Sequence, residues 1–559
     1  MQLLDWIVLC STLLLIVTYG TLKTKGAKNS IDYIKGGNEA KWWTVGLSVM
    51  ATQASAITFL STPGQAFNDG MGFVQFYFGL PIAIIIICIV FIPIYHKLKV
   101  FTAYEYLESR FDLKTRTLTS LLFLIQRSLA AGITIFAPAI ILSSVLGWDL
   151  TTLNIIIGLL VIIYTVSGGT KAVNYTQKYQ MGVIFTGLII TFLIIINSLP
   201  DNVTFEKAIE LAGANDKMKI LDFSFDLENR YTVWSGILGG TFLMLSYFGT
   251  DQSQVQRYLS GKSLKEMQMG MIFNGVLKIP MQFFILFIGV MVFVFYQFNP
   301  SPLNFNPQAE ITISSSERAN DYFKLEQSLK EVYYLKSKAT NDFVDNNNAK
   351  SLAEIKSLNE REKTIRDKAK EIIKEFSNNS LNRIESNDKD YVFISFILNN
   401  LPKGLIGLLI AVILSAAMSS TASELNALAT TTTIDLYNRN KKNKSSEIET
   451  VNTTKIFTVF WGVFAIAIAC VAYLADNLIQ LVNIIGSLFY GNVLGIFLIA
   501  FFIKYIKSNA VFYGAIITQL IILFVWYNDY MPYLWLNVLG VLTVIITSYL
   551  IELFYNNIK

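Results

Sequence analysis

Long apolar runs, separated by short polar links, organise most of the chain. They fall near 3–22, 44–66, 73–95, 118–146, 152–167, 179–199, 231–251, 271–298, 396–425, 454–474, 481–503, 510–527 and 533–555. Most approach the ~20 residues that a helix needs to cross a hydrocarbon core. The pattern therefore predicts an all-α integral membrane protein with about thirteen transmembrane helices. The first run opens MQLLDW, with no basic segment before it and no small-residue cleavage site after it. It reads as a spanning helix and not as a removable signal. One stretch leaves this regime. From about 299 to 390 the chain is dense in Lys, Glu, Asp and Asn, and KLEQSLKEVYYLKSKA and AKSLAEIKSLNEREKTIRDKAKEIIKEF carry opposite charges three or four residues apart. Residues so spaced are neighbours on one helix face, so the stretch predicts a solvated helical hairpin turning at NDFVDNNN. It is a candidate lid or docking point for an unknown protein.

Composition agrees with a membrane body and narrows the chemistry. Hydrophobic residues make up 53% and charged residues 15%, against about 25% charged in an ordinary soluble chain. The single histidine, His96, and the three cysteines, Cys10, Cys88 and Cys470, lie too far apart in sequence to suggest a zinc site or a disulfide framework. Lys plus Arg exceed Asp plus Glu by 45 − 40 = 5. The short loops at 23–41, 97–116, 171–178, 257–265, 439–444 and 504–507 are basic, whereas those around 67–72, 147–151, 475–480 and 528–532 carry no Lys or Arg. By the positive-inside rule the N-terminus lies outside, the C-terminus inside and the insert outside, in a cytoplasmic membrane. The net charge thus records topology, and no affinity for nucleic acid is read from it.

Two runs are weak as continuous helices. The second, GLSVMATQASAITFLSTPGQAF, places small and hydroxylated residues from Ala51 to Ser55 at mid-membrane. The seventh, LGGTFLMLSYFGTDQSQVQR, has Ser246, Gly249 and Thr250 in the corresponding stretch. They open two groups of five runs, two to six and seven to eleven. Five is odd, so the groups enter the membrane from opposite sides, which makes an inverted repeat. Broken helices in matching positions of such halves point to a midplane site for substrate and ion; close helix packing through small residues is the alternative. The ninth run, LIGLLIAVILSAAMSSTASELNALATTTTIDLY, sets Ala416, Ser419, Ser420 and Ser423 on one face. Hydroxyls there, with carbonyls freed from an unwound helix, supply the oxygen ligands that a hard cation takes. Back-bonding to the preceding turn is the competing use of those hydroxyls.

Taken together, MATQASAITFLSTPGQAFNDG, TAYEYLESRFD, FAPAIIL, YTVSGGTKAV with a following Gln180, LSYFGTDQSQVQRYL and SSTASELNALATTTTIDLY resemble the sodium/solute symporter family, in family order. That group has the LeuT-type fold and includes sugar, proline, iodide, monocarboxylate and vitamin carriers; FAPAIIL and the Thr-Pro-Gly after the second run are most similar to the iodide, monocarboxylate and vitamin branch. The resemblance implies a 5+5 inverted repeat with two broken helices. Residues 1–41 are then an extra N-terminal helix and inner loop, 42–199 the first repeat and 200–230 an external loop. Residues 231–298 begin the second repeat, 299–390 form the external insert, 391–505 complete the repeat and 506–559 add two C-terminal helices.

The resemblance also implies site residues. Sodium, co-transported, falls to the carbonyls of Ala51, Ala54 and Ala416 and the hydroxyls of Ser419 and Ser420. The substrate pocket falls near Gln53, Ser55, Thr58, Tyr77, Tyr247 and Lys278, with Tyr247 similar to the aromatic that closes the pocket on its inner side. Candidate gate or accessory residues are Arg127, Gln177, Asp251 and Glu424. Gln177 stands where relatives commonly have Thr-Asp, which puts a second sodium site in doubt. Thr58, Tyr77 and Met244 replace the polar residues of sugar carriers and speak against hexose. Lys278 and Arg127 lie at membrane depth, where charge is costly and usually functional; snorkelling is the plain alternative for Lys278, and pairing with a carboxylate or helix end for Arg127. Asp251, at the inner end of its run, is expected to be near water; Glu424, near the inner end of the ninth run, is either solvated or shapes ion release. The implied function is sodium-coupled import of a small organic solute, preferably an anion such as a monocarboxylate, by alternating access. A sugar or sialic acid symporter is the alternative within the class, and a transporter-like receptor the alternative outside it. No nucleophile with an oriented base, phosphate-binding loop or metal cluster suggests an enzyme.

Overall fold

The computed structural model describes residues 2–24, 29–226, 229–314, 316–379, 387–442, 445–472 and 478–558. Parts of the basic loops 23–41 and 439–444, of the links 200–230 and 475–480 and of the insert 299–390 lie outside these residues. Among the described residues the fold is helical, with one isolated bridge between Ala40 and Gly261. We label α1 (Leu3–Thr24), α2 (Trp42–Gln53), α3 (Ala56–Asp69), α4 (Leu113–Leu146), α5 (Leu150–Asn197), α6 (Gly240–Gly249), α7 (Gln252–Tyr258) and α8 (Leu264–Phe298). The insert contributes α9 (Ala319–Asn346) and α10 (Ala349–Asn379). After it come α11 (Leu405–Thr431), α12 (Glu447–Ala469), α13 (Leu478–Phe502), α14 (Ser508–Tyr527) and α15 (Tyr533–Ile558).

Nine helices among the described residues are long and apolar enough to cross a membrane, and Leu3–Ile16 and Ser235–Gly249 are shorter apolar helices. The difference from about thirteen runs arises because helices and runs do not end together. Helical structure continues through Ala56–Leu98 and Leu150–Asn197, each of which takes in parts of two runs. A straight α5 of 48 residues would be about 72 Å long, far more than a core of about 30 Å. It turns at Gly169, where φ is 54° and ψ is −158°. A Cβ at this position would lie 2.6 Å from the Tyr33 carbonyl oxygen, so only glycine fits.

α11 is the axis of the body. In its most apolar window 83% of residues are buried within the protein, against 28% for α12 and 33% for α14; the latter two turn most of their surface to lipid. The N-terminus of α11 is capped from another span: Asp5 of α1 accepts the Gly404 N–H at 2.6 Å and the Gly407 N–H at 3.3 Å. This satisfies amides that a helix start leaves open and holds α1 to the bundle. α8 runs alongside α2 and α3, with Gly46 against Phe273 and Gly289 against Pro63.

In the insert, α9 and α10 form an antiparallel pair joined at Asn347, which adopts the left-handed conformation (φ 46°). Glu362 of α10 pairs with Lys336 across the helix pair and with Arg366 one turn on in its own helix. Burial alone would raise the Glu362 carboxyl, but the two cations outweigh it and hold it at about 2. Polar contacts seat the pair on the body: Asn359 with Asn215 at 2.8 Å, Lys370 with Asp388 at 3.0 Å, and Arg366 with the Pro302 and Leu303 carbonyls at 2.9 and 3.0 Å. Lys389, just after it, pairs with Asp69 at the end of α3.

Candidate functional site

Both expected breaks are present. α2 ends at Gln53, Ala54 leaves the helical region (φ −82°, ψ 73°), Ser55 is extended (φ −76°, ψ 173°) and α3 begins at Ala56. In a continuous helix the Ser55 N–H would bond the Ala51 carbonyl and the Thr58 N–H the Ala54 carbonyl. Here Ser55 N–H bonds Gln53 O at 3.0 Å and Thr58 N–H bonds Ser55 O at 3.0 Å. The Ala51 and Ala54 carbonyls are thereby released at the break. The second interruption lies at Thr250 and Asp251 between α6 and α7; Asp251 caps α7 by accepting the Ser253 N–H at 2.9 Å.

The hydroxyl face of α11 packs against the first break. Ser419 Oγ lies 3.4 Å from Ala51 O, and Ser420 Oγ donates back to Ala416 O at 3.0 Å. Ser423 Oγ meets Thr52 Oγ1 at 3.0 Å. Gln177 of α5 closes this seam, its Nε2 donating to Thr52 Oγ1 and Ser423 Oγ at 3.1 Å each while its Oε1 accepts from Ser48. An amide donates and accepts at once, so Gln177 ties α2 and α11 together without adding a charge. Thr52 and Ser48 belong to this seam although the sequence reading did not single them out.

Beside the break lies a cavity of about 90 Å³. Gln53, Ser55 and Thr58 form one wall, with Tyr77 and Tyr247 beside them. Arg127 and Glu424 also reach it. Met244 and Phe76 supply apolar surface, and Asn483 and Tyr490 both come from α13. Five of the six expected substrate residues thus converge. Lys278 does not line the cavity. It is fully buried on α8, its Nζ 6.0 Å from the centre of the Tyr77 ring and without a hydrogen-bond partner among the described residues; the snorkelling alternative does not hold, because its whole side chain is enclosed.

The charges near the cavity form one cluster. Arg127 pairs with Asp251, bonds Glu424 Oε1 at 3.1 Å and donates to Tyr490 Oη at 2.7 Å; Tyr490 in turn donates to Asp251 at 3.1 Å. Arg127 also lies 5.6 Å from the Tyr247 ring centre. Asp251, expected near water, and Glu424, solvated in one of its two readings, are only 2% and 5% exposed, because the α6–α7 break turns Asp251 inward onto Arg127. Desolvated charges persist only when paired and hydrogen-bonded; in this cluster Arg127 Nε and Glu424 Oε2 have no hydrogen-bond partner among the described residues. The only sequence sign of Tyr490 was a phenol and an asparagine, Tyr490 and Asn492, inside an apolar run.

Comparison with known proteins places this architecture. The chain is 26% identical over 552 residues to the sodium/sialic acid symporter SiaT of Proteus mirabilis, covering 98% of this chain and 94% of that one. It is 33% identical to the human sodium-coupled monocarboxylate transporter 1 and 31% to the human sodium/iodide cotransporter, over 49% and 51% of this chain but only 45% and 44% of theirs. A solved structure of a substrate-bound, outward-open Na+-coupled sialic acid symporter superimposes with a TM-score of 0.75 at 25% identity, covering 99% of this chain and 98% of that one. These relatives are transporters, not enzymes. The sequence profile of the Sodium:solute symporter family matches residues 33–327 and 378–518, most of the chain, and the protein therefore belongs to that family, as a sodium-coupled membrane symporter with the LeuT-type fold.

Proposed function

We propose that the protein imports a small organic anion, preferably a monocarboxylate, driven by sodium. The observation that carries the anion reading is Arg127, the one cation among the residues lining the cavity, whose buried Nε has no hydrogen-bond partner among the described residues. A planar guanidinium matches a carboxylate in shape and charge. The solutes named for the relatives, a sialic acid, iodide and monocarboxylates, are all anions. A cavity of about 90 Å³ is small beside the roughly 300–1,000 Å³ of sites for drug-sized ligands, which supports a solute of few carbons. The match to the sialic acid symporter along 98% of the chain favours sialic acid as the second reading.

In this reading sodium takes the Ala51, Ala54 and Ala416 carbonyls and the Ser419 and Ser420 hydroxyls. A donating hydroxyl keeps its lone pairs for a cation, so the back-bond of Ser420 to Ala416 is compatible with that role. Sodium bridges the α2 break to α11 and so fixes the wall formed by Gln53, Ser55 and Thr58. The solute binds against that wall, with Glu424 yielding part of its contact with Arg127, and Tyr247 separates the cavity from the inner side. A membrane potential that is negative inside makes sodium entry favourable by about 2.3 kcal/mol per 100 mV. Sodium-driven uptake into proteoliposomes, competed by unlabelled lactate, pyruvate, sialic acid and glucose, tests the proposal. Competition by the monocarboxylates is expected. Uptake indifferent to sodium, or competed by glucose alone, overturns it.

A further inference from the structure

A second cavity, of about 210 Å³, opens at the foot of the first broken helix. Lys41 and Trp43 at the start of α2 face Lys171, Tyr175 and Lys178 of α5 across it, and Glu39 stands at its rim. Three lysines meet one carboxylate. Lys171 takes Glu39 at 3.2 Å, while neither Lys41 nor Lys178 has a carboxylate partner among the described residues. Lys178 Nζ lies 5.5, 5.3 and 4.8 Å from the ring centres of Trp43, Tyr175 and Tyr179. Trp43 and Tyr179 are 37% and 45% exposed, and α8, which packs along α2, turns Met269, Ile272 and Val276 outward. Trp and Tyr collect at the boundary between hydrocarbon and headgroups, and lysines among them sit at the height of lipid phosphates. Basic pockets between spanning helices at that height suit acidic headgroups.

We propose that this cavity binds the phosphate headgroup of an anionic phospholipid and, when filled, clamps the foot of α2 to α5. The floor of the cavity explains why filling it matters to transport. Asn174, 5% exposed, has its Oδ1 2.8 Å from Ser48 Oγ, and Ser48 bonds Gln177, which holds Thr52 and Ser423 in the seam beside the first break. A bound headgroup draws Lys41 and Trp43 toward Lys171 and Lys178, keeps Ser48 on Asn174 and Gln177, and so favours the arrangement in which α2 is closed on α11.

The full chain, purified and exchanged into equal mixtures of phosphatidylglycerol and phosphatidylcholine, is examined by native mass spectrometry for retained lipid. Preferential retention of phosphatidylglycerol is expected. The triple variant Lys41→Gln, Lys171→Gln, Lys178→Gln loses that preference, at about five-fold per lysine from about 1 kcal/mol per basic residue near an anionic surface. The corresponding triple arginine variant keeps it. Should the glutamine triple fail to fold, the single variants carry the test, each with a drop of about five-fold. In nanodiscs, phosphatidylglycerol is also expected to lower the sodium concentration that half-stabilises the wild type, and not that of the glutamine triple. Equal retention by wild type and glutamine variants overturns the proposal. Displacement of the lipid by inorganic phosphate at the same concentration overturns it in favour of a free-anion site.

Discussion

Replacing Ser419 and Ser420 together by alanine separates a sodium-ligating role from a structural one. Among the described residues the two hydroxyls make few bonds: Ser419 has one long contact, 3.4 Å to Ala51 O, and Ser420 bonds within its own helix, to Ala416 and Ala417. Losing such bonds costs about 0.5–1.5 kcal/mol each, and alanine recovers part of that as a better helix former. Sodium-free stability should therefore change by about 1 kcal/mol or less. A contact to a charged group is worth about 1.5–3 kcal/mol, so removing two oxygen ligands weakens sodium binding by at least about 3 kcal/mol, roughly 100-fold. At sodium equal to 100 times its dissociation constant, the wild type gains about 2.7 kcal/mol from binding. The double variant at the same concentration gains only about 0.4 kcal/mol by the same relation. Thermal unfolding across a sodium series, paired with sodium-driven uptake, measures both quantities. An unchanged half-saturating sodium concentration, or a sodium-free melting point that falls as far as the sodium-bound one, refutes the assignment.

Four further outcomes follow from the geometry. Glu424→Gln removes a carboxylate that pairs with Arg127; if the proposed solute binds Arg127, KM for an anionic solute should fall several-fold in uptake assays, and a raised KM would place Glu424 in solute binding instead. Lys278→Met replaces a buried, unpartnered cation and is expected to stabilise by about 1–4 kcal/mol; denaturation with parallel uptake shows whether transport is lost while stability rises, as a solute contact behind Tyr77 requires. Gly169→Ala forces a side chain into φ 54° and within 2.6 Å of the Tyr33 carbonyl, at about 1–3 kcal/mol or more, and should lower the melting temperature, with an unchanged value disproving the tight turn. Glu362, held at about 2 against 4.5 in the unfolded chain, contributes fully above pH 4.5 and loses its contribution as pH falls toward 2. At about 1.4 kcal/mol per pH unit this is about 3 kcal/mol, and hydrogen exchange in α9 and α10 should accelerate across that window in the wild type but not in Glu362→Gln.

The Arg127 cluster joins the two breaks. Asp251 is both the cap of α7 and a partner of Arg127 on α4, while Glu424 comes from α11, whose other face meets Ala51. A movement of α7 relative to α11 must therefore remake contacts to one buried guanidinium, and breaking a buried pair without replacement costs about 3–5 kcal/mol. An incoming carboxylate is one group able to replace Glu424 there. This gives the solute a physical route to influence which arrangement of the breaks is stable, through differential contacts in the two states.

Local properties of the sequence were enough to place the spans, the two interruptions and the hydroxyl face of α11. Crossing hydrocarbon requires long apolar helices, and a run of small and hydroxylated residues such as Ala51–Ser55 is unusual enough at mid-membrane to mark a break. The same runs did not reveal where helices join: the polar stretch 171–178 reads as a loop between two runs but is helical, and the chain turns at Gly169 within α5. Nor did they reveal partners. Arg127 meets Glu424 and Tyr490 across 297 and 363 residues, and Gln177 meets Thr52 and Ser423 across 125 and 246. Position at the end of its run puts Asp251 near water, and the family resemblance puts Lys278 near the substrate pocket; neither expectation fixes where the side chain faces. Depth follows from position in a run, but the direction in which a side chain faces depends on how each helix is rotated and packed against its neighbours. Only the tertiary structure decides that rotation, and with it which buried ionisable groups are paired, as Arg127 is with Asp251 and Glu424, and which have no carboxylate beside them among the described residues, as Lys278 behind Tyr77 and Arg257.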